Sequence, residues 1–321
     1  MVKIRMKRVA ATIGLHLNSQ RNRQAEKPAR AVVSCALALG FLLGACAANA
    51  ASPTLDKIKE AGQVNLGHRG SSIPFSFNAT GKVEGYAVDI AMVIIAEIEK
   101  SIGKKIAVNY QEITPETRTP LIQTGKVDFE CSSTTITKER KAVANFSSPY
   151  YYAGLAVMSN KTVYPNPPRY SDLKGKTVVV VNSTTGQKFL DNRNATEGYG
   201  TTMIKVKENA EAMLLLEQGR ANLFLQDDIL EAGLRAMSSK GANFDIHSYD
   251  GQVEAYGCMS RLGDEEFSAV VERALRGMAK SGALEASYER WFTKPIAGLN
   301  SLVINWPMTQ ATKEAIDSLK K

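Results

Sequence analysis

From Gln63 onward, short apolar runs alternate with longer stretches whose apolar residues recur every three to four positions, and these two periods separate strands from helices. "QVNLGHR" (63–69) reads as a strand, and "GYAVDIAMVIIAEIEKSIG" (85–103) as a helix with one apolar face. "KIAVNYQEI" (105–113) is a second strand, "ETRTPLIQTG" (116–125) a short helix stopped at Gly125, "KVDFECSS" (126–133) a third strand and "TKERKAVA" (137–144) a helix. A second set opens near Lys174. The unbroken apolar run "GKTVVVVN" (175–182) has the pattern of a buried parallel strand, and the turn "STTG" (183–186) leads to a helix from about Gln187. "TTMIKVK", the helix "NAEAMLLLEQGRA", the strand "NLFLQD" and the helix "DILEAGLRAMSS" complete this set, and a long helix from Asp264 to about Trp291 ends the compact part.

Strands alternating with helices predict an α/β fold with largely parallel sheets. Between the two sets the extended "AGLAVMS" (153–159) carries the chain out of the first, and "VEAYGCMSR" (253–261) carries it back. Two antiparallel crossings of this kind predict two lobes with a cleft between them. The expected division is a leader at 1–50, a discontinuous first lobe at 54–150 plus 254–321, and a second lobe at 151–253.

The leader changes the charge picture. Residues 1–30 hold eight basic side chains and one acid, and are followed by the apolar "AVVSCALALGFLLGACAANA". A basic start, an apolar centre and a small-residue end make a secretory signal, which implies export to the periplasm. Two processing readings stand. "ANA" before Ala51 is an A-x-A cleavage site and is preferred, whereas "LGAC" ending at Cys46 resembles a lipoprotein box. The formal charge of +8 is mostly the leader's. The remainder of the chain is near neutral, which argues against a nucleic-acid partner. With cleavage at Ala51, Cys131 and Cys258 remain, and in an oxidising compartment they form either one disulfide or two buried thiols; they lie too far apart for a local CxxC motif.

Candidate catalytic chemistry is sparse. His68 and His247 are the histidines beyond the leader, there is no HExxH, and "GKT" (175–177) has Tyr170 where a phosphate loop needs glycine. No metal or cofactor is expected, and His68 is read as structural. Carboxylate recognition has better candidates. In "DFECSSTTITKERK" (128–141), hydroxyls meet a helix start and an arginine. Arg140 offers a bidentate fork for a buried carboxylate, which lysine cannot, while Ser133 and Thr135 sit at the strand end. From the second set, Thr184 and Thr185 bring another helix start to the same anion.

"PFSF" (74–77), "GYAVDIA" (85–91), "FSSPYYYAG" (146–154), "LKGKTVVV" (173–180) and "EAYGCM" (254–259) occur in an order that resembles the extracytoplasmic solute-binding proteins, family 3, of ABC importers for polar amino acids. "GHR", "DFECSSTT" and the tail "KPIAGLNSLVINWPMT" are similar to the glutamate/aspartate-binding branch. The resemblance implies the type II periplasmic-binding-protein fold with a two-stranded hinge, binding without chemistry, an acidic L-amino acid ligand, delivery to the permease subunits of an ABC importer, and a monomer. It places Asp227 on the ligand's ammonium and Arg69 and Arg118 on its second carboxylate. Two positions depart from the branch: Pro115 stands in place of serine, and Asn209, still a candidate contact, in place of histidine. The rival readings are an enzyme on the same scaffold, acting on a small carboxylic acid, and a binding protein for a different polar amino acid.

Overall fold

The computed structural model describes residues 52–78, 81–166 and 168–321. The leader and both processing readings lie outside the described residues. Helix α1 (Pro53–Ala61) leads into β1 (Gln63–His68). A small antiparallel sheet of β2 (Ser71–Ser72), β3 (Ser76–Asn78) and β4 (Val83–Glu84) precedes α2 (Tyr86–Ile102), β5 (Ala107–Glu112), α3 (Arg118–Gln123), β6 (Phe129–Glu130), α4 (Lys138–Lys141) and β7 (Ala144–Phe146). Then come β8 (Tyr151–Asn160), β9 (Thr177–Val181), α5 (Thr185–Glu197), β10 (Thr202–Val206), α6 (Asn209–Glu217), β11 (Leu223–Asp227), α7 (Asp228–Met237) and β12 (Phe244–Tyr256). The chain ends with β13 (Met259–Arg261), α8 (Glu265–Ser281), α9 (Ala283–Tyr288) and α10 (Gln310–Leu319).

The strands build two five-stranded sheets, ordered β5-β1-β6-β13-β7 and β10-β9-β11-β8-β12. In the first, β13 runs antiparallel to both its neighbours; in the second, β8 does. Each sheet is therefore parallel apart from one reversed strand, and each is the centre of one lobe. The apolar run in β9 is explained by its neighbours: Val179 and Val181 pack into one buried cluster and Val178 and Val180 into another, on opposite faces of the second sheet.

The chain enters the second sheet through β8 and leaves it through β12. These strands pair antiparallel, with Tyr151 opposite Tyr256 and Ala153 opposite Glu254. Phe75 packs edge-on against Tyr151 and Tyr256, with ring centroids 4.8 and 5.2 Å away, so an aromatic nucleus of the first lobe grips the crossing strands. The lobes are closed on each other. A methyl group at Gly233 of α7 would meet the Ile73 carbonyl oxygen at 2.5 Å, so only glycine allows this approach.

Several elements are shorter than their patterns predict. "TKERKAVA" gives a single helical turn, because Ala144–Phe146 is drawn into β7 beside β13. "KVDFECSS" gives only Phe129–Glu130 as strand. The long helix expected from Asp264 breaks at Gly282, whose φ of 77° is left-handed, and the chain restarts as α9. In contrast β12 is longer than expected, absorbing Phe244–Tyr249 across a register shift between Ser248 and Val253. Cys131 and Cys258 form a disulfide that spans 127 residues of chain and ties the end of β6 to the segment before β13. Among the described residues no helix is long and apolar enough to cross a membrane.

Candidate functional site

The hydroxyl-rich segment after β6 divides its side chains by alternation. Ser132 donates to Glu130 Oε2 at 2.6 Å and Thr134 donates to Oε1 of the same fully buried carboxylate. Ser133 and Thr135 therefore point the other way, into a narrow gap between the lobes. Arg69, Pro115, Arg118 and Arg140 line it from the first lobe, and Thr184, Thr185, Gln226, Asp227 and Leu230 from the second.

Three guanidiniums converge here. Arg118 opens α3 and is 2% exposed; its Nη1 donates to Thr134 Oγ1 at 2.7 Å, but its Nε is buried with no partner. Burial, and then the nearby charge of Arg140, push its pKa down to about 9, with Glu130 pulling the other way. It stays charged at neutral pH. Arg140 donates through Nη1 to Thr135 O at 2.7 Å and through Nη2 across the gap to Ser183 O at 3.1 Å; burial lowers its pKa as well. Arg69 is committed differently. Its Nε and Nη2 donate to Glu208 of the second lobe at 3.2 and 2.8 Å.

The opposite end of the gap is acidic. Asp227 ends β11, where the strand passes directly into α7; its Oδ2 accepts from the Tyr256 hydroxyl and its Oδ1 is buried without a partner. Burial, reinforced by the Glu254 carboxylate, raises its pKa well above the ordinary carboxylate range. Gln226 is held beside it, its Nε2 donating to Asn209 Oδ1 at 2.8 Å. Asp228 sits at the helix start and accepts from Gly154 N at 3.1 Å and Ile229 N at 2.7 Å, which pins the crossing strand β8.

At the α5 end, Thr184 is the helix cap, accepting from Gln187 N at 3.1 Å and donating to Val181 O at 2.7 Å. Thr185 donates to Glu254 Oε2 at 2.7 Å, and Thr135 donates to the same oxygen. The hydroxyls read as carboxylate ligands thus share a carboxylate of β12, one from each lobe. The helix start expected before Arg140 is a single turn, already capped by Thr137 Oγ1.

Eight of the nine residues singled out in the sequence line the gap: Arg69, Arg118, Ser133, Thr135, Arg140, Thr184, Thr185 and Asp227. Asn209 does not. It is 1% exposed and sits behind Gln226, donating to Ser71 O at 3.3 Å in the other lobe. Sequence reasoning missed Gln226, Leu230, Glu208 and Glu254. Gln226 had a legible signal, its place beside Asp227 at a strand end; Glu208 and Glu254 had none, because their partners are distant in the chain.

The site is thus a polar interlobe gap in which a buried guanidinium and a buried carboxyl group, Arg118 and Asp227, each keep an unpartnered atom. That geometry, on two α/β lobes joined by a strand pair, defines a solute-binding protein. Residues 64–294 match the bacterial extracellular solute-binding proteins, family 3, and the chain belongs to that family. It is 37% identical over 295 residues to an L-glutamate/L-aspartate-binding protein of Pseudomonas aeruginosa, covering 90% of this chain and 96% of that one. It is 36% identical over 292 residues to a glutamate/aspartate import solute-binding protein of Escherichia coli K12, again covering 90% and 96%. Among solved structures, an ancestral arginine-binding protein bound to arginine matches with a TM-score of 0.64 and 29% identity, over 72% of this chain and 98% of that one.

Proposed function

We propose that the protein binds an acidic L-amino acid, glutamate or aspartate, between its lobes and delivers it to the permease subunits of an ABC importer. The observation that carries this reading is the pair of orphaned buried atoms, Arg118 Nε and Asp227 Oδ1, on two residues that line one gap. A zwitterion completes both: its ammonium meets Asp227, its α-carboxylate meets Arg140 with Ser133 and the α5 start, and its side-chain carboxylate meets Arg118. Pro115 and Leu230 shape the wall where no charge is needed. The names of the bacterial relatives support the acidic ligand and binding without turnover.

Closure is a hinge motion in which residues 54–150 plus 254–321 move as one lobe and 151–253 as the other, about the β8–β12 pair. The protein acts as a monomer in the periplasm, exported by its leader and cleaved before Ala51 rather than lipidated at Cys46. The deciding experiment is calorimetric titration of the purified mature protein with the twenty amino acids and small dicarboxylates. Glutamate or aspartate binding at least about tenfold tighter than glutamine or asparagine is expected, one charge-assisted contact being worth that much. A preference for basic or neutral amino acids overturns the ligand, and conversion of the bound acid, seen by mass spectrometry, favours the enzyme reading.

A further inference from the structure

Glu208 lies just beyond β10 and immediately precedes α6 in the second lobe, yet its carboxylate makes no capping bond there and is held by the first. Oε1 accepts from Arg69 Nε at 3.2 Å, while Oε2 accepts from Arg69 Nη2 at 2.8 Å and from Ser71 Oγ at 2.8 Å. Two weaker links run alongside: Asn209 Nδ2 donates to Ser71 O at 3.3 Å and Ala210 N to Ser71 Oγ at 3.4 Å. Glu208 is not among the residues lining the gap, whereas Arg69 is.

We propose that Glu208 is a specificity-setting latch: it ties the closed lobes together through Arg69 and Ser71, and by neutralising Arg69 it leaves Arg118 as the reader of the ligand's side-chain carboxylate. The second half of this inference rests on the acidic-amino-acid reading above; the first half does not. A two-toothed pair between a guanidinium and a carboxylate is the strongest form of side-chain ion pair. Here the Arg69 side chain is 2% exposed and the Glu208 side chain 16%, so water screens the pair little. The two partners belong to different lobes and meet only on closure. Without Glu208, the closed form would bury the Arg69 guanidinium near Arg118 and Arg140 with its own carboxylate partner gone, and an anionic ligand would best replace that partner.

Glu208→Gln therefore has two opposed effects. Closure loses its latch, which weakens every ligand, while a freed Arg69 recovers part of that loss for an acidic ligand only. The ratio of glutamate to glutamine affinity should rise on the order of tenfold, the size of one added charge-assisted contact. Ser71→Ala removes one donor from the latch and no charge, so it should weaken glutamate and glutamine by the same factor and leave the ratio unchanged. A ratio that is unchanged or lower in Glu208→Gln overturns the specificity role, and a raised ratio in Ser71→Ala overturns its electrostatic origin.

The latch itself is measured without ligand. Pulsed electron paramagnetic resonance between spin labels at Lys100→Cys and Arg169→Cys, both on exposed surface of opposite lobes, should show a short-distance population that Glu208→Gln and Ser71→Ala both deplete. Absence of that population in the parent protein, or identical distributions in parent and variants, overturns the latch. A parent protein that keeps this population but binds no amino acid sinks the proposed ligand and not the latch.

Discussion

Arg118 gives a sharp test of the idea that the site is held in an unsatisfied state for its ligand. Its guanidinium is 2% exposed, makes one hydrogen bond to Thr134 and leaves Nε without a partner. The fall of its pKa to about 9 corresponds to roughly 4–5 kcal/mol of unfavourable surroundings for the charge in the ligand-free protein. Arg118→Met alone would exchange one problem for another, since the buried Glu130 carboxylate would lose its nearby countercharge and keep only Ser132 and Thr134. Arg118→Met combined with Glu130→Gln removes both charges and keeps the volume. Replacing buried charges by shape-matched neutral groups is often neutral or stabilising by about 1–4 kcal/mol. A gain of about 2 kcal/mol would raise the ligand-free Tm by roughly 4–8 °C in a chain of this size. The assay is differential scanning calorimetry with and without excess glutamate. The parent should melt higher with glutamate, and the double variant should melt higher than the parent without it and gain less from it than the parent does. A double variant that melts below the ligand-free parent, or that glutamate stabilises as much as it does the parent, refutes the reasoning.

Two more outcomes are expected from other parts of the site. Because the folded pKa of Asp227 is raised, the group favours the ligand-free fold at low pH and loses that contribution as pH climbs from about 4, its ordinary value, toward the raised one. Asp227→Asn should therefore flatten the decline of ligand-free Tm with rising pH and abolish amino-acid binding, while in the parent, affinity should rise with pH over the same window as the carboxylate ionises; a parallel pH profile in the variant excludes this account. Loss of the Cys131–Cys258 disulfide by the double change to serine should cost about 2–5 kcal/mol, the range for a native bridge, read from urea unfolding with and without reductant; identical midpoints in the parent under the two conditions would contradict it.

The pattern of apolar and polar positions determined by itself that this is an α/β protein with two successive sheets, because period-two and helical spacing are local properties that survive any arrangement of the elements. The buried run Val178–Val181 and the helix stop at Gly125 belong to that local record, whereas the break at Gly282, inside a stretch that reads as one helix, does not. Most of the gap-lining residues were legible too, since carboxylate recognition draws on few residue types and strand ends are where they are presented. The tertiary structure alone decided their commitments. That Cys131 and Cys258 are joined and not free thiols, that Asn209 stands behind Gln226, that Thr135 and Thr185 share Glu254, and that Glu208 takes Arg69 are contacts between residues apart in sequence, set by the tertiary packing. No periodicity encodes such pairs, because the energy of a charge in a protein depends on which other charges folding brings within a few ångströms and how much water it leaves between them.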